Sequence, residues 1–529
     1  MRQDAGFWFP GHTGATPGVA LRKPLLLLAL SLPLAGWWLG QPLLLWSALV
    51  PAVVLGLIDP ASLVASIALT TPVFPVLRLA GDAVGAAKVS SKGLFFSADD
   101  PLILALGVAW VASRLRFPGE RRDLFPGAAA GLAILYPVVI ALNAIRLDTN
   151  QVIVSALYFL KWLQYASLLV LVPQTVRGAD RSRLIARYLK AAYVVCLLTA
   201  GFGVYELLMS VRTQSYTKAA AFPRISSFFG SLDPNLYGAS EDPVNFGVWS
   251  VLMGSVVLAA MMSGSRRHGV LRFGALLSMG FALLASASRA PVLAAAAAYS
   301  RLQKLNSSRL VLTMAALTVL GGIGFLMVPE LWMRATGRFS ALLEWDQAEE
   351  SSAVARLQVA MNSPVFEIDQ YWLIGHGHST YRFIAEEHLA RFNGGLSRSL
   401  YSFPLTAWYD GGPLGLLLWI VLFRQLGRRL RRIRDSSPDR EVAALASGLC
   451  AALWALAVAS MFGEVPYNWR VMGSFYLAVG VCMAADEAVN RHMAFLLLRH
   501  QAQAAGTGGI TGAAIQGGPS EEDAKEVRA

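Results

Sequence analysis

Residues 412–434 read GPLGLLLWIVLFRQLGRRLRRIR: an apolar run through Phe423, then Arg424, Arg428, Arg429, Arg431, Arg432 and Arg434 in quick succession. Lipid accepts such a run only as a helix, because a spanning segment must satisfy its own backbone N–H and C=O groups. The arginines mark where that helix leaves the bilayer, and the positive-inside rule makes that side cytoplasmic.

Working outward, apolar runs of roughly 17 to 22 residues recur, each long enough to cross a hydrocarbon core of about 30 Å. They predict spans at 24–39, 42–58, 61–80, 100–116, 125–145, 152–173, 188–210, 244–263, 270–287, 289–303, 309–328, 402–423, 442–462 and 468–485. The expected fold is an all-α polytopic membrane protein with roughly 12 to 14 transmembrane helices. The first run, Leu25 to Trp38, is followed at once by a second and reads as a retained span, not a cleaved leader.

With the N-terminus inside, every basic loop falls on one side: Arg114, Arg116, Arg121 and Arg122; Arg177, Arg181, Arg183 and Arg187; Arg266 and Arg267; Arg301, Lys304 and Arg309; and the 424–434 cluster. The expectation is a bacterial cytoplasmic membrane protein with both termini cytoplasmic. A chain of 529 residues that is 55% apolar and 15% charged favours burial in lipid. The net charge of +12 lies between spans and does not indicate a nucleic-acid partner. Cys196, Cys450 and Cys482 sit in apolar runs without paired spacing, which argues against a disulfide frame or a metal site.

The organisation expected is N-terminal helices over 1–210, helices carrying arginine motifs over 211–328, a large outer loop over 329–401, C-terminal helices over 402–490, and a cytoplasmic, disordered tail over 491–529. Outside lie 81–99, 146–151, 211–243 and 329–401. In the last, Ser351 to Ala360 and Thr380 to Phe392 are amphipathic and read as helices on the membrane surface or over a cavity. The pairs Asp99-Asp100 and Glu241-Asp242 read as solvated loop charges.

Outward-facing residues suited to chemistry are few. Arg289 follows Ser288 at the meeting of two helices, Arg224 precedes a loop ending Asp233-Pro234-Asn235, and Arg356 lies on an amphipathic stretch. Taken singly, each is more often a surface or snorkelling charge. Converging guanidinium groups, always charged and bidentate toward phosphate oxygens, suit a diphosphate. In Trp372-Leu373-Ile374-Gly375-His376-Gly377-His378 the glycines permit a tight turn, and the histidines can exchange protons near neutral pH. Asp410 falls inside an apolar run beside Gly411-Gly412-Pro413; an intramembrane carboxylate signals function, with an outer-face arginine as the expected partner.

Taken in order, these pieces resemble the bacterial O-antigen ligase and polymerase superfamily. Arg224 through Asn235 looks like the family's arginine loop, Ser288-Arg289 like its helix-opening pair, Arg356 like the arginine at the start of its large loop, and Trp372 to Gly377 like its glycine turn. Nine residues before Gly412-Pro413-Leu414-Gly415, Tyr401-Ser402 occupies the place of a His-Asn or His-Ser pair, and Asp410 meets the usual acidic position. The resemblance covers roughly 220–425, and its specificity lies in the order and topology of the motifs.

It implies a metal-independent membrane glycosyltransferase without cofactor, acting on undecaprenyl-diphosphate-linked glycan. Arg289, Arg356, Tyr401 and Asp410 would be catalytic; Arg224, Asn235, His376 and His378 would bind substrate. The implied partners are the lipid-linked donor, a glycan acceptor, the bilayer, and chain-length and export proteins. In ligases of the family the histidine is thought to activate the acceptor hydroxyl. A tyrosine with pKa near 10 is a poor base at neutral pH, so Tyr401 shifts the expectation toward a polymerase of surface or exopolysaccharide or a divergent transferase, with His376, His378 or His388 as alternative bases. Ligase-type transfer to a lipid or protein acceptor, and a flippase or transporter, stay open; transporters place charged groups near the midplane of related halves, whereas these cluster at one face.

Overall fold

The computed structural model describes residues 17–39, 41–73, 76–78, 95–116, 128–142, 149–176, 179–213, 243–263, 268–286, 289–303, 372–377, 381, 400 and 402–504. The helices are α1 (Pro17–Trp38), α2 (Pro42–Ser47), α3 (Leu49–Ile58), α4 (Pro60–Val73), α5 (Asp100–Arg116), α6 (Ala128–Leu142), α7 (Thr149–Thr175), α8 (Ala179–Thr213), α9 (Pro243–Met262), α10 (Gly269–Ala285), α11 (Arg289–Gln303), α12 (Phe403–Ser436), α13 (Arg440–Ser460) and α14 (Trp469–Ala504). A 3₁₀ turn, Val465–Tyr467, links the last two. The protein is an all-α polytopic membrane protein. Arg183–Gly201, Val244–Met262, Phe403–Ser436 and Arg440–Ser460 are long and apolar enough to span a membrane.

Every expected span falls on helix except 309–328, which lies outside the described residues, and the span expected over 42–58 is two helices, Pro42–Ser47 and Leu49–Ile58. Several helices run past their expected ends, among them Pro17–Trp38, Ala179–Thr213 and Phe403–Ser436, and one falls well short. The span predicted over 61–80 ends at Val73, and residues 76–78 pair antiparallel with 95–97 as a short ladder, β1 and β2. Pro72 and Pro75 explain this, since neither can donate the next helical hydrogen bond. At the other end of the chain α14 continues to Ala504, so residues 491–504, expected in the tail, are helical. Finally, the fifteen residues of α11 rise about 22 Å, less than the bilayer core.

The ends of the last two helices show how local chemistry sets boundaries. Asp439 accepts hydrogen bonds from Glu441 N and Val442 N at 2.7 and 3.4 Å, and Asn468 Oδ1 accepts from Arg470 N and Val471 N at 3.1 Å. Each side chain serves backbone donors that the first turn leaves without helical partners. α9 packs against α10, α11 and α13, α14 packs against α7 and α8, and α12 packs against α6 and α13. One continuous apolar core runs through this bundle.

Polar contacts concentrate at the two ends. At the arginine-rich end, Asp59 is fully buried between Arg22 and Arg187, the first at 3.7 Å, and accepts from Ser62. Arg429 reaches Asp486 at 3.7 Å, and Arg272 reaches Glu441 at 3.8 Å. The partners come from distant helices, so these pairs tie the bundle together.

Candidate active site

At the opposite end, α12 is broken. Gly412 has φ 64° and ψ −169°, a conformation essentially restricted to glycine, and Pro413 follows it. Pro413 has no N–H to give the carbonyl four residues earlier, that of Tyr409, and the break carries the next donor away from Asp410's carbonyl. The glycine turn replaces both. His376 N donates to Tyr409 O at 2.8 Å, and Gly377 N donates to Asp410 O at 2.9 Å.

This docking is close. Gly375 and Gly377 have φ of 82° and 99°; a side chain on Gly375 would collide with Asp410's carbonyl, and one on Gly412 with that of Leu373. The His376 ring stacks on Tyr409 with centroids 4.3 Å apart and planes within 4°. Tyr381 meets the same ring edge-on at 5.6 Å. The turn expected over 372–377 is therefore present, and it seats His376 beside the residue preceding Asp410.

Asp410 is fully buried at the break. Tyr467 donates its hydroxyl to Asp410 Oδ2 at 2.6 Å. Burial, then the Asp410 carboxylate, push the Tyr467 phenol well above its ordinary pKa, so it stays a donor. Glu464 fastens the same region: it accepts from Thr406 Oγ1 at 2.8 Å and from Leu400 N at 3.3 Å. Phe403 and Trp162 complete an aromatic surround, Trp162 meeting Tyr467 edge to face at 5.4 Å.

The acidic pair Asp99-Asp100 corrects an expectation. Read as solvated, it is buried, with relative exposures of 0% and 5%. Lys161, from α7, pairs with Asp100 and donates to Ser97 Oγ at 2.9 Å. Gln164 and the Ser97 amide also donate to Asp100, at 2.7 and 2.9 Å. Asp99 Oδ2 accepts from Thr71 and Tyr165 at 3.0 and 3.1 Å. Burial, and next the adjacent Asp100, raise Asp99's pKa above the usual carboxylate value.

The structure thus brings together His376 and Asp410 among the residues expected from sequence. Arg289 is the first residue of α11, whose Pro291 lies against Gly247 of α9. Arg224, Asn235, Glu241, Asp242, Arg356, His378, His388 and Tyr401 lie outside the described residues, as do both amphipathic stretches apart from Tyr381. Tyr467, Glu464 and Lys161 were missed. Lys161 carried a signal: a lysine inside an apolar run calls for a carboxylate partner.

None of the curated proteins compared with the chain matches it. Residues 274–420, which carry Arg289, the glycine turn and Asp410, match the family model described as O-antigen ligase, and the match supports the resemblance to the O-antigen ligase and polymerase superfamily.

Proposed function

We propose that the protein is a polymerase that joins undecaprenyl-diphosphate-linked oligosaccharide units at the periplasmic face of the bacterial cytoplasmic membrane, for a surface or exported polysaccharide. The family is one of glycan-transferring membrane enzymes. The observation that carries the reading is that its matched segment contains the broken helix, with a buried carboxylate held at the break by a tyrosine hydroxyl. The positive-inside rule supports the orientation: it assigns the arginine-rich end to the cytoplasm and the Asp410 end to the periplasm.

In this reaction an acceptor sugar hydroxyl attacks the donor's anomeric carbon. The carbon–oxygen bond to the lipid diphosphate breaks, and the diphosphate leaves with the bonding electron pair. Arg289, Arg356 and Arg224 answer the charge gathering on its oxygens, a task positioned cations perform in other phosphate chemistry. Asp410 takes the acceptor proton, with His376 as the alternative base on the docked turn. Tyr401, in place of the family histidine, orients the acceptor and favours polymerisation over ligase-type transfer to a lipid or protein acceptor. The donor's isoprenoid tail stays between helices, out of water.

The test is an assay of purified protein with undecaprenyl-diphosphate-linked oligosaccharide. Wild type is expected to lengthen the glycan and release undecaprenyl diphosphate. Arg289→Ala and Arg356→Ala are expected to lose about 100-fold or more in rate, as when one oxyanion-stabilising donor is removed. Tyr401→Phe reports whether the hydroxyl matters. Substrate that crosses a proteoliposome bilayer chemically unchanged would rule out transfer and assign the arginines to a transport path.

A further inference from the structure

α9, α11 and α12 all pack against α13 and enclose it except along one seam. Beyond its first turn only Cys450, Trp454, Ala457 and Val458 keep any exposure, and Met461 follows at its cap. Cys450, Trp454, Ala457 and Met461 recur every three or four residues and so form one stripe along the helix. Trp454 is 48% exposed and Met461 56%. At the Cys450 end of this stripe cations converge from both flanking helices. Arg301 of α11 lies with Cζ 4.1 Å from the Trp454 ring centroid, and the charges of Arg431 and Arg434 of α12 reach the Cys450 thiol together with that of Arg301. Asp435 pairs with Arg434 at 2.6 Å. Arg301 and Arg431 are exposed and meet no carboxylate at ion-pair distance among the described residues.

The depth of the cluster is that of a lipid headgroup. Gly427 of α12 lies against Leu453 of α13, and Arg429, half a turn further on, pairs with Asp486 of α14. Asp486 is about 25 Å along α14 from Trp469, which sits at the Asp410 end, so this level is the inner edge of a hydrocarbon core about 30 Å thick. From Cys450 to Met461 the seam rises about 16 Å, the depth of one leaflet's chains. A soluble anion would use the arginines and leave the apolar seam bare, whereas a lipid uses both. Guanidinium forks take phosphate oxygens in pairs, and two of them side by side favour a headgroup that carries no cation of its own. An exposed tryptophan under a guanidinium suits the boundary between headgroup and chain. The positive-inside rule makes this the cytoplasmic leaflet, whose anionic lipids collect at basic clefts between helices.

We propose that the seam between α11 and α12 binds an anionic glycerophospholipid of the cytoplasmic leaflet, with its phosphate between Arg301 and Arg431 and an acyl chain along Trp454, Ala457 and Met461. The site lies at the opposite end of the bundle from Asp410 and does not rest on the glycan-transfer reading.

The experiment is native mass spectrometry of the full chain released from nanodiscs that hold equal amounts of phosphatidylglycerol and phosphatidylcholine. Wild type is expected to retain phosphatidylglycerol in preference by about tenfold or more, since each arginine near an anionic headgroup contributes about fivefold. Arg301→Gln with Arg431→Gln brings the preference to within about twofold of unity. Arg428→Gln with Arg432→Gln removes the same charge from positions roughly 60° and 100° round α12 from Arg431, on the side away from Arg434, and stays within about threefold of wild type. Ala457→Trp, which fills the seam and keeps every arginine, lowers phosphatidylglycerol retention about fivefold. If that variant does not fold, as judged by thermal unfolding, the two charge variants carry the comparison. Equal loss of preference in both charge variants overturns the site in favour of diffuse attraction, and so does a wild type that retains the two lipids alike. Undecaprenyl phosphate that displaces phosphatidylglycerol from wild type but not from the Arg301→Gln, Arg431→Gln protein overturns it in favour of the carrier lipid. Lipid-free dimers that come apart in that same variant overturn it in favour of a second copy of the chain.

Discussion

The two ends of the bundle bury carboxylates for different ends. At the arginine-rich end, Asp59 and Asp486 meet guanidinium groups from helices far away in sequence, and the side chains of those arginines remain 27–33% exposed. At the opposite end Asp99, Asp100 and Asp410 are held by hydroxyls, a side-chain amide, a lysine and the Ser97 N–H, beside a broken helix. Arginine pairs at a bundle rim fasten helices together. A carboxylate held by a phenol at a break in a helix is placed where it can exchange a proton. Burial of charge is common to both ends, so the partner's chemistry distinguishes scaffold from site.

That contrast can be broken in order of expected effect. Gly412→Ala puts a side chain against Leu373's carbonyl in a glycine-only conformation; the expected cost is about 3 kcal/mol, read as a lower unfolding temperature together with lost transfer. Asp410→Asn keeps the shape but not the proton acceptor, and is expected to lower kcat about 100-fold with the unfolding temperature nearly unchanged. Asp59→Asn should do the reverse, costing about 2 kcal/mol of stability while kcat per folded molecule stays at wild type. Equal loss of kcat in both aspartate variants would erase the distinction between the ends.

The smallest effect concerns Asp99. Its pKa is raised on folding from about 3.8, so above that value the unfolded chain releases a proton that the folded chain keeps. Stability therefore falls as pH climbs from the ordinary carboxylate range toward the folded pKa. Asp99→Asn is expected to flatten that decline, seen as unfolding temperatures that converge at low pH and separate as pH rises. Parallel curves for the two proteins would show that Asp99 titrates alike in both states.

Much of this was legible along the chain. Apolar run length predicted 100–116 and 289–303 to the residue, because lipid leaves the backbone no alternative to a helix. The end of α4 was missed because hydropathy stays high through Val73 to Leu79 while Pro75 removes the donor. The glycine turn and Asp410 were recognisable separately; that they bond each other was not, since 33 residues separate His376 from Tyr409. Asp99 and Asp100 were misread for the same reason. Their partners Thr71, Lys161, Gln164 and Tyr165 lie on two other helices, and a pair of adjacent acids beside a loop carries no local mark of burial.

The break in α12 also bears on how the protein is made. When this segment first forms, the carbonyls of Tyr409 and Asp410 lack their helical donors, and the chain that supplies the replacements, 376 and 377, has already been translated ahead of it. The turn at 372–377 must fold back onto a helix that arrives later. Until it does, those two carbonyls need another donor such as water, because an unsatisfied carbonyl in hydrocarbon is costly. Docking of the turn supplies both donors, and the Asp410 side chain then waits for Tyr467, which arrives later still.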